Sequence, residues 1–363
     1  MKPFRFNSSV PLRWAPIALL TGLLSGCLTI GPKQLKVDQV DYARALGDAN
    51  KRQILTTVVG LRYADEPAVL GVSQIIAAYQ FDATGGATLN SRPDPGGPLA
   101  DVTGMVSYAN HPTFTFTPTT GEAYATAYIR PLTPTLVLPL AESGVPIDLL
   151  LRLTVQSIGG LQNGALLGGP NGNGSPEFFE LLATLRRLQL AGDLTIPYRQ
   201  DAKGSHVSLV IAPAQPGEDA MVARDRARAR KLLNLSTQAK AYDFVAGPGA
   251  GGPAGIPIVT RSVLAILSAL GAEIEVPPED VASGATKATL GLVGGETRPI
   301  MIIHAGRKAP RDAYVTVAYR SSDYWIDAAD FDSKYAFTVV QDLMALAQTT
   351  DTSKAPVVTI GAN

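Results

Sequence analysis

A single cysteine stands among 363 residues, which excludes an intrachain disulfide framework and a cysteine-based zinc site. Three histidines are too few for histidine-rich metal chemistry. Excess charge of either sign is missing as well: 31 Lys and Arg balance 31 Asp and Glu, and the sequence pI is near 6.8. A nucleic-acid binder normally shows a basic excess, so that class is set aside. Charged residues are sparse at 17%, yet hydrophobic ones reach 46%, enough for a buried core and too many for a disordered chain. No apolar run approaches the about 20 residues of a membrane-crossing helix. No internal repeat of solenoid or propeller period is present.

What the chain does have begins at its N-terminus. Residues 1–26 contain Lys2, Arg5 and Arg13 and no acid, with an apolar run from Ala15 through Leu24. This is the layout of a cleaved secretory signal peptide. The run ends in Leu24-Ser25-Gly26-Cys27, which resembles the bacterial lipobox. The resemblance implies cleavage between Gly26 and Cys27, diacylglycerol on the Cys27 thiol and a fatty acyl group such as palmitate on the new N-terminus. No cofactor beyond this covalent lipid is expected. Acyl chains at about 0.8 kcal/mol per buried methylene make a lasting membrane anchor. Leu28 stands where Asp resembles an inner-membrane retention signal, so the expected address is the outer membrane, facing the periplasm. Cleavage removes 26 residues and three bases, leaving 337 residues with 28 basic and 31 acidic ones. Net charge therefore gives no strong pull towards anionic lipid.

The mature chain reads as a lipidated Cys and tether over residues 27–37, then one integrated α+β domain over 38–363. A helix is predicted from Val40 to Val59, burying Tyr42, Leu46, Ala49, Ile54, Leu55 and Val58. Val69–Phe81 is a strand turning at Gly85-Gly86, and Thr113–Thr117 alternates as a second strand. A helix-rich stretch from Gly121 to about Val155 carries Pro131, Pro134, Pro139 and Pro146 in first turns or just outside helices. Pro176–Ala191 is a helix with Ser175 as N-cap and Phe178, Leu181, Leu182, Leu185 and Leu188 inward. Strands are expected at His206–Ile211, Tyr242–Val245, Pro299–His304, Ala313–Tyr319, Tyr324–Ile326 and Pro356–Ile360. Helices are expected at Glu218–Leu235, at Arg261–Leu270 closed by Gly271, and at Ser333–Ala347. Flexible Gly/Pro loops are placed near residues 92–98, 168–176 and 247–257. Helices and strands come in mixed order without regular β-α-β alternation, which favours α+β.

Few patterns point to chemistry. Gly247-x-Gly249-x-x-Gly252 matches the dinucleotide fingerprint only as a string, since Pro253, Gly255 and Pro257 follow where a helix must start. No phosphate-binding G-x-x-x-x-G-K-[ST] occurs, so neither nucleotide nor nucleic acid is an expected partner. No serine stands in G-x-S-x-G, and His111, His206 and His304 lie far apart in sequence. Asp323, Asp327, Asp330 and Asp332 form the densest acidic cluster but lack the glycine and final acid of a calcium loop; a helix cap and a turn account for them. The helix from Glu218 carries Arg224, Arg228 and Lys231 on one face, a candidate contact for phosphate-bearing headgroups or an acidic partner. Met221, Val222, Leu232 and Leu233 form its apolar side, Arg226 and Arg230 lie roughly opposite the basic face, and a solvated helix is the plainer reading. Tyr314, Tyr319, Tyr324 and Trp325 fit sheet cover better than a sugar-stacking surface.

Three stretches belong together: Lys51–Leu55 running into Val59–Pro67, then Phe116–Glu122, and finally Tyr324–Asp327 with Asp332–Lys334. They resemble a group of bacterial outer-membrane lipoproteins of unassigned function, a likeness that supplies no activity and supports a single domain. Arg62, Asp65 and Asp327 are the positions it singles out, with an Arg–Asp pair fixing a loop as the default role. The expectation is a non-enzymatic lipoprotein anchored through Cys27 that binds an envelope protein as scaffold or accessory subunit. A binder of peptidoglycan or lipopolysaccharide is the alternative, and a hydrolase-type enzyme assembled from scattered residues is a second.

Overall fold

The structure is a computed structural model and describes residues 30–65, 70–76, 79–89, 100–110, 113–164, 174–202, 204–236, 240–249, 255–289 and 299–348. The fold is α+β. Cys27, the loops at 92–98 and most of 168–176, and the strand expected at Pro356–Ile360 lie outside the described residues. The chain divides into two compact units, with the boundary after Ile54.

Helix α1, Ile30–Arg62, crosses that boundary. It already starts within the stretch expected to be a tether and reaches past the predicted Val40–Val59 at both ends, with Pro32 in its first turn, where a missing N–H is harmless. In the first unit no residue from 39 to 53 is buried: Tyr42 and Leu46 are half-buried and Ala49 is exposed. In the second unit Leu55, Val58 and Val59 are at most 2% exposed.

Two antiparallel pairs follow, β1 (Leu70–Ile76) with β4 (Thr113–Pro118) and β2 (Tyr79–Leu89) with β3 (Ala100–Asn110). Gly85 and Gly86, expected to turn the chain, sit inside the ladder opposite Gly104 and Thr103. Glycine tolerates extended backbone, and the alternation on either side of the pair sustains the strand.

Residues 121–154 are helical in short pieces: α2 (Gly121–Tyr124) runs into a π-turn at Ala125–Ile129, α3 (Pro134–Val137) into a 3-10 turn at Leu138–Ala141, and α4 spans Ile147–Thr154. Pro134 occupies the first turn of α3 and Pro146 precedes α4, where a missing N–H is harmless. The main sheet runs in the order β6 (Leu161–Gln162), β5 (Val155–Ile158), β11 (Gly255–Thr260), β10 (Tyr242–Ala246), β9 (Gly204–Ile211), β7 (Leu194–Thr195), with β8 (Tyr198–Asp201) also on β9. All its pairings are antiparallel except β10 with β11.

Strand β11 corrects the expected flexible loop over 255–257. Ile256 and Ile258 are at most 1% exposed, and Pro257 needs only its carbonyl, which accepts from Gly159 N at 2.8 Å. Proline reads as a breaker in sequence, but a strand position that bonds through its carbonyl tolerates it.

Helix α5 (Pro176–Leu190) packs against α4 and α6 (Ala220–Leu232). It buries Phe178, Leu181, Leu182, Leu185 and Leu188 as the 3.6-residue period requires, each worth about 2 kcal/mol of hydrophobic burial. Ser175 precedes it but makes no side-chain cap; its hydroxyl donates instead to Gln162 O.

Helix α7 (Val263–Glu273) starts on Ser262, whose Oγ accepts from Ala265 N, and runs through Gly271 rather than ending there. At Gly271 a Cβ would meet Val58 O at 2.8 Å, so glycine there serves the close approach of α1 to α7, not a helix stop. Helix α8 is short, Pro278–Ala282. The last sheet orders β12 (His304–Gly306), β14 (Ser322–Ile326) and β13 (Val315–Tyr319), so only the end of the expected Pro299–His304 strand pairs. Helix α9 (Phe331–Gln348) follows, with Asp330 accepting from Ser333 N at 3.1 Å as its cap.

Candidate functional site

The end of α1, the turn at α8 and the β13–β14 hairpin bring a polar cluster together. Tyr63 follows the last helical residue, Arg62, where Tyr63 N and Asp65 N both return to Gly60 O. Its hydroxyl donates to Asp280 Oδ2 at 2.6 Å and lies 2.6 Å from the Tyr324 hydroxyl. A tyrosine has one proton to donate. With that of Tyr63 committed to a carboxylate, Tyr324 donates to Tyr63, and the chain runs Tyr324 to Tyr63 to Asp280. Tyr324 is fully buried, and Tyr63 and Asp280 are each 8% exposed.

Burial, then the hydrogen bonds to Asp280 and Tyr324, push the Tyr63 phenol far above its ordinary value. Burial also raises Tyr324. Both stay protonated at neutral pH, as donors rather than bases. Arg320 closes the cluster, its guanidinium 5.4 Å over the Tyr63 ring and its Nε 4.0 Å from Asp280 Oδ1. Tyr319, whose ring lies 5.2 Å from that of Tyr63, has a buried hydroxyl without a hydrogen-bond partner.

Arg62 faces the other way. It donates to Ala272 O at 3.2 Å and Lys287 O at 2.6 Å, while its Nε is shielded and unpaired. Its partners are carbonyls, which corrects the expected Arg–Asp pair. Burial lowers its pKa, with the Tyr63 and Tyr324 hydroxyls as the opposing influences. Beside it opens a cavity of about 360 Å³ lined by Arg62, Tyr63, Ser268, Gly271, Thr286 and Lys287 among others. Two cations and no carboxylate line it. A second cavity of about 360 Å³ between α4, α5 and α9 has both signs, with Asp148, Arg152, Arg186 and Asp332.

The arginine-rich helix is largely neutralised from within. Arg187 grips Asp225 through Nε and Nη2 at 2.7 and 2.8 Å. Arg226, 3% exposed, reaches Asp193 at 2.6 Å and Glu218 at 2.8 Å. Of the three candidate surface residues, Arg228 forks onto Glu180, Nε to Oε1 at 2.6 Å, and the pairing holds the Glu180 carboxyl below its usual range. Arg224 and Lys231 are exposed. The buried strip is Asp225, Arg226 and Ala229, continuing to Leu233, while Met221 is 54% exposed. Hydropathy alone could not find this, because an acid and an arginine become tolerable inside only with Arg187, Asp193 and Glu218 facing them.

The remaining candidates stay apart. His206 lies 3.3 Å from Asp201 beside the main sheet, His304 lies 3.1 Å from Glu275 and stacks on Trp325, and His111 is outside the described residues. Asp323 accepts from Ala309 N, Asp327 from Ala329 N and Asp330 caps α9, while Asp332 lines the second cavity. Among the described residues no group of three or more His, Cys, Asp or Glu is placed to hold a metal ion. Gly247 leads into β11 rather than a helix. Sequence reasoning singled out Arg62 and the Tyr324 stretch but missed Asp280, Lys287 and Arg320, which carry no local pattern. Comparison with protein-family models, with curated proteins and with solved structures finds no match to this chain.

Proposed function

We propose that this chain is a lipid-anchored protein of the bacterial outer membrane, held through Cys27, that acts without catalysis as a scaffold or accessory subunit for an envelope protein. The observation that carries the reading is positional. The only cysteine follows Leu24-Ser25-Gly26, and a helix begins three residues later at Ile30 with no buried residue between 39 and 53. Such a segment suits a spacer between an acylated N-terminus and a folded body. Support for a protein partner comes from the low charge density, 17% charged against 46% hydrophobic residues, which leaves apolar surface available for contact.

The test is metabolic labelling with a palmitate analogue, followed by in-cell crosslinking, affinity capture and mass spectrometry. Label on the wild-type chain, its loss in Cys27→Ala and one recurrent Cys27-dependent protein partner are expected. An unlabelled wild-type chain sinks the anchor, and a labelled chain that captures only glycan or lipid sinks the scaffold. The second reading, an envelope-polymer binder, is favoured by the Arg62–Lys287 cavity, which offers two cations to an anionic group. It predicts salt-sensitive co-sedimentation with wall or lipopolysaccharide that Arg62→Met with Lys287→Met abolishes.

A further inference from the structure

Three helices of the second compact unit line one cavity with residues a turn apart. Helix α4 contributes Asp148 and Arg152, four residues apart. Helix α5 contributes Phe179, Leu182 and Arg186, at three- and four-residue steps that place them on one face. Helix α9 adds Asp332 and Tyr335 from its first turns. The floor is apolar: Phe179 is 4% exposed, Leu182 2% and Ile300 7%. The volume of about 360 Å³ falls within the range of small-molecule sites, about 300–1,000 Å³. Such sites combine apolar walls with a few convergent polar groups.

Part of the charged lining is engaged within the fold. Arg152 is held by Glu273 at 3.7 Å, and Asp332 has partners of its own. Three other groups are not engaged in this way. Asp148 makes no hydrogen bond with a described residue, and its Oδ1 is shielded from water. Arg186 commits Nη1 to Gln189 at 2.7 Å. Its Nε stands 3.8 Å from Asp148 Oδ1, beyond hydrogen-bond reach, and its Nη2 has no partner among the described residues. Tyr335 stacks on the ring of Phe331, itself 69% exposed, and the Tyr335 hydroxyl has no partner among the described residues either. A shielded carboxylate oxygen without a donor is costly. Rotation about the last side-chain bond exchanges the two oxygens, so a donor entering the cavity relieves that cost.

An acceptor and a donor of opposite charge thus stand side by side above an apolar floor. A simple anion would leave Asp148 beside a like charge, and a simple amine would leave Arg186 so. A ligand with both signs on neighbouring atoms suits both. In an α-amino acid the ammonium nitrogen and the carboxyl carbon share one carbon through bonds of about 1.5 Å, which sets them about 2.5 Å apart. The two ends of a peptide draw apart by up to about 3.5 Å per residue, too far for one such pair. We propose that this cavity binds a free α-amino acid with an apolar side chain. Its ammonium donates to Asp148, its carboxylate accepts from Arg186 Nη2 and the Tyr335 hydroxyl, and its side chain lies on Phe179, Leu182 and Ile300. The site depends on neither Cys27 nor the Arg62 cavity, and it stands whether or not the chain is a scaffold.

The experiment is isothermal titration calorimetry of the purified full chain in detergent with leucine and phenylalanine, each as both enantiomers. Three analogues of leucine separate the contacts: isopentylamine lacks the carboxylate, 4-methylpentanoate lacks the ammonium, and glycine lacks the side chain. Saturable binding of leucine or phenylalanine is expected, about tenfold or more tighter than any analogue, since each analogue forfeits a charge-assisted hydrogen bond or the apolar contact. Asp148→Asn weakens leucine by about tenfold or more and leaves 4-methylpentanoate within about twofold. Arg186→Met, which keeps the aliphatic stem, weakens leucine and 4-methylpentanoate alike and leaves isopentylamine within about twofold. A cooperative melting transition of each unliganded variant reads folding separately from binding. No saturable heat with either amino acid at millimolar concentration overturns the proposal. So do analogues that bind as tightly as leucine, or folded variants that bind leucine as the wild type does.

Discussion

Replacing Tyr63 by Phe tests the direction of the buried hydroxyl chain. The substitution removes the donor to Asp280, 8% exposed, and the acceptor of Tyr324, fully buried, without changing ring volume. A hydrogen bond to a charged group contributes about 1.5–3 kcal/mol and a neutral one about 0.5–1.5 kcal/mol, so Tyr63→Phe costs about 2–4 kcal/mol. Tyr324→Phe removes only the neutral bond and leaves Tyr63 on Asp280, at about 1 kcal/mol. At about 2–4 °C per kcal/mol for a body of this size, the melting temperature falls by about 4–16 °C in the first variant and about 2–4 °C in the second. In the Tyr63→Phe background, Tyr324→Phe adds nearly nothing, a coupling of about 1 kcal/mol. Urea unfolding is followed through Trp325, the sole tryptophan once the N-terminal 26 residues with Trp14 are removed, and it adjoins Tyr324 in β14. If Tyr324→Phe proves as damaging as Tyr63→Phe, or the two effects add, the donor order is wrong.

Three further outcomes follow from the same packing. Gly271→Ala gains about 1 kcal/mol of helix propensity, yet its Cβ would meet Val58 O at 2.8 Å, so denaturant melts show net destabilisation of about 1–2 kcal/mol. Arg261, 5% exposed and pushed down to about 10 by burial, donates to Arg152 O, Leu153 O and Gly164 O. Arg261→Met therefore loses about 3 kcal/mol by the same assay, and Arg261→Lys, unable to span three carbonyls, does not restore it. The hydrogen bonds from Arg187 depress the Asp225 pKa, so its stabilisation is complete above the unfolded value of about 3.9 and is lost as pH falls through the lower folded value. Acid titration of Asp225→Asn shows reduced stability at neutral pH and a flatter limb below about pH 4; an unchanged limb would falsify the linkage.

Elements whose signal lies within one turn or one alternation were legible in the chain. Helix α5 was visible in the spacing of Phe178, Leu181, Leu185 and Leu188, and α9 in that of Ala336, Val339, Val340 and Leu343, all buried as their period demands. The α+β class is equally a property of local order and composition. Only tertiary structure decided the rest. Tyr63 and Tyr324 meet across 261 residues, and no local preference records that distance. Strand β11 was hidden behind Pro257 because whether a missing N–H matters depends on which neighbour its position faces. The buried Asp225 and Arg226 were hidden because charge burial is decided by partners on α5 and the preceding loops, not by the helix itself. In residues 79–110 the alternation was written in the sequence, but the Gly85-Gly86 pair reads equally as a turn. Register against Gly104 and Thr103 settles it, because pairing supplies the hydrogen bonds that make an extended glycine stable.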